Sequence, residues 1–592
     1  MRGDQGELTA VGRTIWQAKY RLDEGAAPEA TFEATRRRVS RAIAQVEADP
    51  EHWEAAFADL LADFRFLPGG RIWAGAGSDR DVTLFNCFVA GAIQDSMEGI
   101  LDALRETALT LQQGGGVGLD FSTLRPAGQV AQRTGQVASG PVSFMHVWDA
   151  LCRTILSSGT RRGAMMGTLH CEHPDVEAFV DAKRDGTALR NFNLSVLVSD
   201  AFMQAVADDA EWVLRYPPGA ATAGTGGNGP AESGRRVPAR ALWRRIAEAA
   251  HAGAEPGVLF VDTVNRENNL WYCETIRATN PCGEIPLPPY GACNLGSINL
   301  PVFIKSPFSR SSSFDWPALS ATVETAVRFL DDVIDASRFP LPAQAERARA
   351  TRRIGLGITG LADALVMLGL HYDSEAARDL ARRVMAAVRD TAYAASVRLA
   401  REKGPFPLLD RERYLAGPFV RRLPEELRGG IAAHGIRNSH LLAIAPAGTI
   451  SLLAGNVSSG IEPIYALEAT RDVRGPDLGI RTIAVRDFAY EAWLAAGGDP
   501  ARPDPAFVTS AHLRPEAHLE MQATLQPFVD NAISKTVTLD ANATVEDVER
   551  IFTRARELGL KGCTVFRPGT ERGEVLRGRD APHCCHVERE AD

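Results

Sequence analysis

Three side chains able to do chemistry stand at alternate positions in the segment ATNPCGEIPLPPYGACNLGSINL: the amide of Asn280, the thiol of Cys282 and the carboxylate of Glu284. Pro281 biases Asn280 towards an extended conformation, and Pro286, Pro288 and Pro289 stop the segment from continuing as a helix. An extended chain points residues i, i+2 and i+4 to one side, so the spacing predicts that the three groups face one volume. Glycine at 283 permits close approach of a ligand, and a further thiol, Cys293, follows in the same stretch. Cys282 alone would more often be a small buried apolar residue, but an amide, a thiol and a carboxylate together suit hydrogen bonding, proton transfer and sulfur chemistry.

Two other segments carry weaker signals. APAGTISLLAG follows the apolar run SHLLAIA, which predicts strand, turn and helix start. Backbone N–H groups at a helix N-terminus favour phosphate, and Pro446, Gly448, Thr449 and Ser451 suit a tight turn with hydroxyl donors; a simple capped helix would look the same. Asp95 to Glu98 (DSME) has the spacing of a capping box that opens a helix ending near Gly114.

The elements that must position these groups follow from periodicity. Residues 1–80 read as a helical region, because TFEATRRRVSRAIAQVEA and HWEAAFADLLADF repeat apolar residues at three and four spacing. From 81 to 567 short apolar runs (TLFNCFVAG, FNLSVLVS, SHLLAIAP, GCTVF) alternate with long amphipathic stretches, which predicts one large α/β domain. The segments 217–236 and 305–314 read as exposed loops, and 568–592 as a mobile tail. With 592 residues, 45% apolar and 23% charged, the chain can bury a large core and is neither disordered nor fibrous. A net charge of -9 offers no broad positive field for a nucleic acid, and no apolar run suits a membrane span or a secretory signal, so the expected location is the cytoplasm. Nine cysteines are too few for a disulfide scaffold in so long a chain.

NPCGE followed by CNLGSIN, with FNCFV and GGGVGLDFSTLRP upstream, closely resembles the catalytic subunit of ribonucleotide reductases. PAGTISLLAGNVSSGIEP, HLEMQATLQPFVDNAISKTV and GLKGCTVFRPGTERGEVL resemble the adenosylcobalamin-dependent class II branch. The resemblance implies a ten-stranded α/β barrel, two antiparallel halves of five parallel strands each, with NPCGE as a finger loop through its centre. It implies that Cys282 forms a thiyl radical, that Glu284 is the general base, that Asn280 holds the sugar hydroxyls, and that Cys87 and Cys293 supply two electrons and close to a disulfide. Substrate would be lined by Asn86, Gly116, Asn280, Pro281, Cys282, Gly283 and Glu284, with its phosphates on Pro446, Ala447, Gly448, Thr449, Ile450 and Ser451. The substrate would be a ribonucleotide, in all expectation a diphosphate. A deoxynucleotide or ATP effector would be read at a homodimer interface by Asp95 and Ser96, with the loops LRPAGQVAQRTG and SSGTRRGAMMG carrying the signal. The N-terminal region is too short for the extra ATP-sensing module of some relatives.

Class I relatives carry adjacent tyrosines near the C-terminus, and class III relatives a glycyl radical motif; GCTVFRPGTER has neither. The tail ends in vicinal Cys584 and Cys585 flanked by His583 and His586, which reads as a pair of reducing thiols served by thioredoxin or a similar protein. The competing reading of HCCH as a metal-binding cluster lacks the usual ligand spacing, and no metal site is expected. Cys152, Cys171, Cys273 and Cys563 read as buried structural thiols. Two alternatives stay open: a class I-type large subunit that needs a radical-generating partner, and a non-catalytic nucleotide-binding regulator, which would be expected to have lost some of the five catalytic residues.

Overall fold

The computed structural model describes the chain except for residues 1–7, 24–27, 131–134, 158–160, 163, 185, 219–233, 475–479, 570–575 and 579–592. Strands β1 (Phe66–Pro68), β2 (Cys87–Val89), β3 (Gly116–Asp120), β4 (Met165–His170), β5 (Phe192–Val198) and β6 (Gly257–Phe260) come first, with β2 to β6 paired in order and parallel. A two-stranded hairpin follows, β7 (Ala278–Thr279) and β8 (Pro286–Leu287). Then come β9 (Ala292–Asn299), β10 (Ile354–Thr359), β11 (Thr536–Thr538) and β12 (Gly562–Phe566).

β9 pairs parallel with β10, and β11 parallel with β12. Isolated parallel bridges carry the pairing from Leu356 in β10 to Leu442, and from Ile444 to Ile533, just ahead of β11. The two sets meet antiparallel at two seams, β2 with β9 and β6 with β12. This is the expected arrangement of two antiparallel sets of parallel strands, within a mixed sheet of ten strands. SHLLAIAP departs from the expected strand: Asp530 accepts the N–H groups of Leu441 and Leu442, both at 2.8 Å, so donors that a ladder would use are taken by a carboxylate.

Strands buried on both faces need helices outside them. β9 is buried along its whole length. The helix Trp316–Ala336 packs beside it, burying Leu319, Val323, Ala326, Val327, Leu330 and Ile334 at three and four spacing. Asp315 caps its start by accepting from Ala318 N at 3.3 Å. The N-terminal helices Phe32–Ala44 and Pro50–Leu60, capped by Thr31 and Asp49, dock on this layer, where the Phe57 ring meets Phe329 edge to face at 5.2 Å.

The segment expected to be mobile from 568 onwards is held in part: Leu576–Gly578 pairs antiparallel with the strand Glu468–Arg474, whose open edge supplies backbone partners. Cys584, Cys585, His583 and His586 lie outside the described residues, as do parts of the loops 124–135 and 157–167. Among the described residues no helix is long and apolar enough to cross a membrane.

Candidate active site

The finger is the β7–β8 hairpin, and its tip is a tight turn rather than the extended run that the alternate spacing suggested. Gly283 N donates to Asn280 O at 3.1 Å, and Asn280 N donates to Ile285 O at 3.3 Å. Gly283 takes φ +85°, a backbone region that glycine enters without a Cβ penalty. Pro281 sits in the first corner, where its fixed φ suits a turn. Convergence of Asn280, Cys282 and Glu284 thus comes from chain reversal at Pro281–Gly283.

Asn280 organises the tip. Its Oδ1 accepts from Ile285 N at 2.9 Å, while its Nδ2 donates to Glu284 Oε1 at 2.8 Å and to Cys87 Sγ at 3.1 Å. Cys87 Sγ also lies 3.8 Å from Glu284 Oε1. Cys87 and Cys293 are Cα partners across the β2–β9 seam, and both are thiols. Directly opposed residues of an antiparallel pair have Cα atoms about 4.5 to 5.5 Å apart, inside the span of a disulfide. The five expected catalytic residues are therefore brought together by three separate elements: β2, the hairpin tip and β9.

Burial sets their protonation. Glu284 is 1% exposed, and loss of solvation lifts its carboxyl from 4.5 to about 7, against the opposing pull of the Asn280 hydrogen bond. Its Oε2 is buried with no hydrogen-bond partner among the described residues, an acceptor left for a ligand hydroxyl. Burial, then the charge of Glu284, pushes the Cys87 thiol far up, and burial does the same for Cys293, so both keep their protons at neutral pH. Cys282 differs in being half-buried, and a Cβ added at Gly283 would meet nothing within 4 Å, which leaves the tip open on that side.

The expected lining residues divide. Gly116 N donates to Asn86 O at 2.8 Å, and a Cβ on Gly116 would lie 3.0 Å from Pro281 Cγ, so Asn86, Gly116 and Pro281 adjoin the tip. Ala443 shares the small apolar cluster of Cys87, Ile285 and Cys293, and Ala445 packs against it, which delivers Pro446–Ser451 to the same region. Thr449–Leu453 is a short buried helix starting after Gly448, and Ala447 N is tied to Ser459 Oγ at 2.8 Å.

Asp95 and Ser96 form a separate cluster. The helix Met97–Gln112 is capped by Ser96, whose Oγ accepts from Gly99 N at 3.0 Å, and not by the expected Asp95–Glu98 box. Asp95 is claimed elsewhere: Arg125 Nε donates to it at 2.7 Å and Tyr216 OH at 3.3 Å. Cys152, Cys171 and Cys563 are buried as expected, but Cys273 is exposed, because it lies in the turn leading from Trp271 to the hairpin.

Residues that hold the finger escaped the sequence reading. Ala532 N donates to Glu284 O at 2.9 Å, Arg353 Nη1 to Pro286 O at 2.9 Å, and Asn193 Nδ2 to Pro281 O at 2.8 Å. Gly118 lets β3 run against the finger, since a Cβ there would stand 1.9 Å from Thr279 O. No local pattern announces contacts between residues this far apart in sequence; Gly118 within a strand run was the one available sign.

The family description "ribonucleotide reductase, barrel domain" matches residues 85–566, and "ribonucleotide reductase, all-alpha domain" matches residues 6–81. The chain is 40% identical to a vitamin B12-dependent ribonucleoside-diphosphate reductase of Mycobacterium tuberculosis, over 97% of this chain and 81% of that protein. A protein of the same name from Thermoplasma acidophilum is 36% identical over 89% of this chain and 66% of its own length. A ribonucleoside-diphosphate reductase large subunit of monkeypox virus is 30% identical over 70% of this chain and 57% of its own length. With a barrel match across most of its length and a relative 40% identical over 97% of it, the chain belongs to the ribonucleotide reductase family.

Proposed function

We propose that this chain reduces ribonucleoside diphosphates to 2'-deoxyribonucleotides by thiyl-radical chemistry with adenosylcobalamin, supplying precursors for DNA synthesis. The observation that carries the reading is the convergence of Cys87, Asn280, Glu284 and Cys293 on the turn that bears Cys282. The vitamin B12-dependent relatives support the cofactor and the diphosphate substrate.

The residues at the tip fit such a cofactor, because Cys282 is half-buried and the space beside Gly283 is open. Cys282 and Gly283 would face it, and when bound it would supply the radical chemistry that removes the hydrogen atom of the Cys282 thiol. Cys282, as a thiyl radical, takes the hydrogen atom from C3' of the substrate. Glu284 takes the 3'-hydroxyl proton, for which a carboxyl near 7 is matched to neutral pH. Asn280 orients the sugar hydroxyls together with Glu284. One of Cys87 and Cys293, kept protonated by burial, gives its proton to the 2'-hydroxyl, which leaves as water. The two thiols deliver two electrons in all and join as a disulfide, the second thiol hydrogen goes to C2', Glu284 returns its proton to the 3'-oxygen, and Cys282 returns its hydrogen to C3'.

The phosphates would rest on Pro446–Ser451. Deoxynucleotide or ATP effectors would bind at Asp95 and Ser96 in a homodimer, where the exposed Met97 and Leu101 on the same helix offer an apolar face. Thioredoxin or a similar protein would reduce the tail thiols. Substitution Cys282→Ser tests the central assignment: reduction should vanish while the fold and nucleotide binding persist, and retained turnover would overturn it.

A further inference from the structure

We infer that Asn193 is a positioning residue for Cys282, aiming its thiol through the carbonyl of Pro281; this rests on the reading of Cys282 as the radical-forming cysteine. Proline fixes its own φ near -65°, so the soft motion left at the turn is rotation of the peptide plane between Pro281 and Cys282. That plane sets the direction of the Cys282 side chain. The hairpin supplies no partner for its carbonyl: Asn280 O is used by Gly283 N, and Ile285 O by Asn280 N. Pro281 O is held instead by Asn193 Nδ2 at 2.8 Å.

Asn193 is well placed to hold it. It lies in β5, opposite Met166 of β4 and two residues before Ser195, where the pairing with β6 on the other side begins. A strand flanked in this way is a rigid mount. The other side of the tip is held by Ala532 N on Glu284 O, so the turn is gripped from both halves of the barrel. Cys282 is not among the residues with positive φ, so the alternative turn with a flipped plane, which needs positive φ at that position, is disfavoured. Loss of Asn193 should therefore leave the turn intact but let the plane rock. A displacement of about 1 Å at a reacting group can cost on the order of 100-fold in rate.

The test compares wild type, Asn193→Leu and Asn193→Asp, the last keeping the shape while presenting an acceptor to Pro281 O. With adenosylcobalamin, a dithiol and a ribonucleoside diphosphate, both variants should lose about 10- to 100-fold in kcat with KM and Tm unchanged. In the absence of cofactor, alkylation by iodoacetamide, mapped by mass spectrometry, should change at Cys282 relative to the exposed Cys273, while Cys87 and Cys293 stay slow. If Asn193→Leu does not fold, Asn193→Asp is read by the same criteria. Wild-type kcat and alkylation in a folded variant would overturn the inference, as would a fall in kcat matched by a fall in Tm. A wild-type chain that fails to turn over with adenosylcobalamin would instead overturn the functional reading, whatever the variants do.

Discussion

Cys87 and Cys293 face each other across the seam where the two halves of the barrel join antiparallel, one residue from each half. The pair needs no large backbone movement to close a disulfide, and Asn280 at the finger tip touches Cys87 directly. Substituting either cysteine by Ser should leave radical initiation intact but block completion. Release of free base from the nucleotide, with little deoxynucleotide, is the expected product pattern. A normal deoxynucleotide yield from either variant would remove that cysteine from the reaction.

Glu284 should govern the pH dependence. Its folded value of about 7 stands above the ordinary 4.5, so a general base at this position becomes competent as pH rises through about 7, and kcat should rise with it. Stability runs the opposite way. The raised value means that the neutral form favours the fold, so this contribution is complete below about 4.5 and is lost as pH rises to about 7, roughly 3 kcal/mol in all. Glu284→Gln should be inactive and should lack that slope in denaturant titrations; an identical slope in the variant would assign the raised carboxyl elsewhere.

Gly118 and Gly283 should tolerate alanine differently. A methyl at Gly118 meets the backbone oxygen of Thr279 at 1.9 Å, so the base of the finger must shift. Overpacking of this kind costs about 1 to 3 kcal/mol, and activity should fall with it. At Gly283 there is room, but φ is +85°, so the cost is backbone strain alone, about 1 to 2 kcal/mol. Equal Tm values for Gly118→Ala and wild type would mean that β3 does not brace the finger.

That Cys87, Asn280, Cys282, Glu284 and Cys293 share one region was legible in the sequence, whereas their geometry was legible only in part. Alternate spacing at Asn280, Cys282 and Glu284 led to the right grouping for a different physical reason, since the groups meet through a turn whose glycine sits at positive φ. SHLLAIAP carries the composition of a strand, yet Asp530, far along the chain, takes the N–H groups of Leu441 and Leu442, while those of Ala443 and Ile444 go to backbone carbonyls. The clamps Asn193, Arg353 and Ala532 are single residues whose partners lie 88, 67 and 248 positions away, and such pairs leave no periodic trace. Ser96 displaced Asp95 as the helix cap because Arg125 and Tyr216 compete for that carboxylate, which a local motif cannot reveal.

The tail thiols should matter only for repeated turnover. Cys584 stands six residues beyond Gly578, which pairs with Ala469, so its reach from that anchor is about 20 Å unless the pairing opens. Double substitution of Cys584 and Cys585 by Ser should spare a single turnover and stop multiple turnover with thioredoxin, while a small dithiol restores it. Unimpaired multiple turnover with thioredoxin would exclude the tail as the shuttle and favour a metal-binding reading of HCCH.

Turnover by the purified chain alone tests the central claim most directly. Supplied with adenosylcobalamin, a small dithiol and a ribonucleoside diphosphate, and with no second protein present, it should form the 2'-deoxynucleotide over many cycles. No product under these conditions, with product appearing once a radical-generating protein subunit is added, would contradict the assignment.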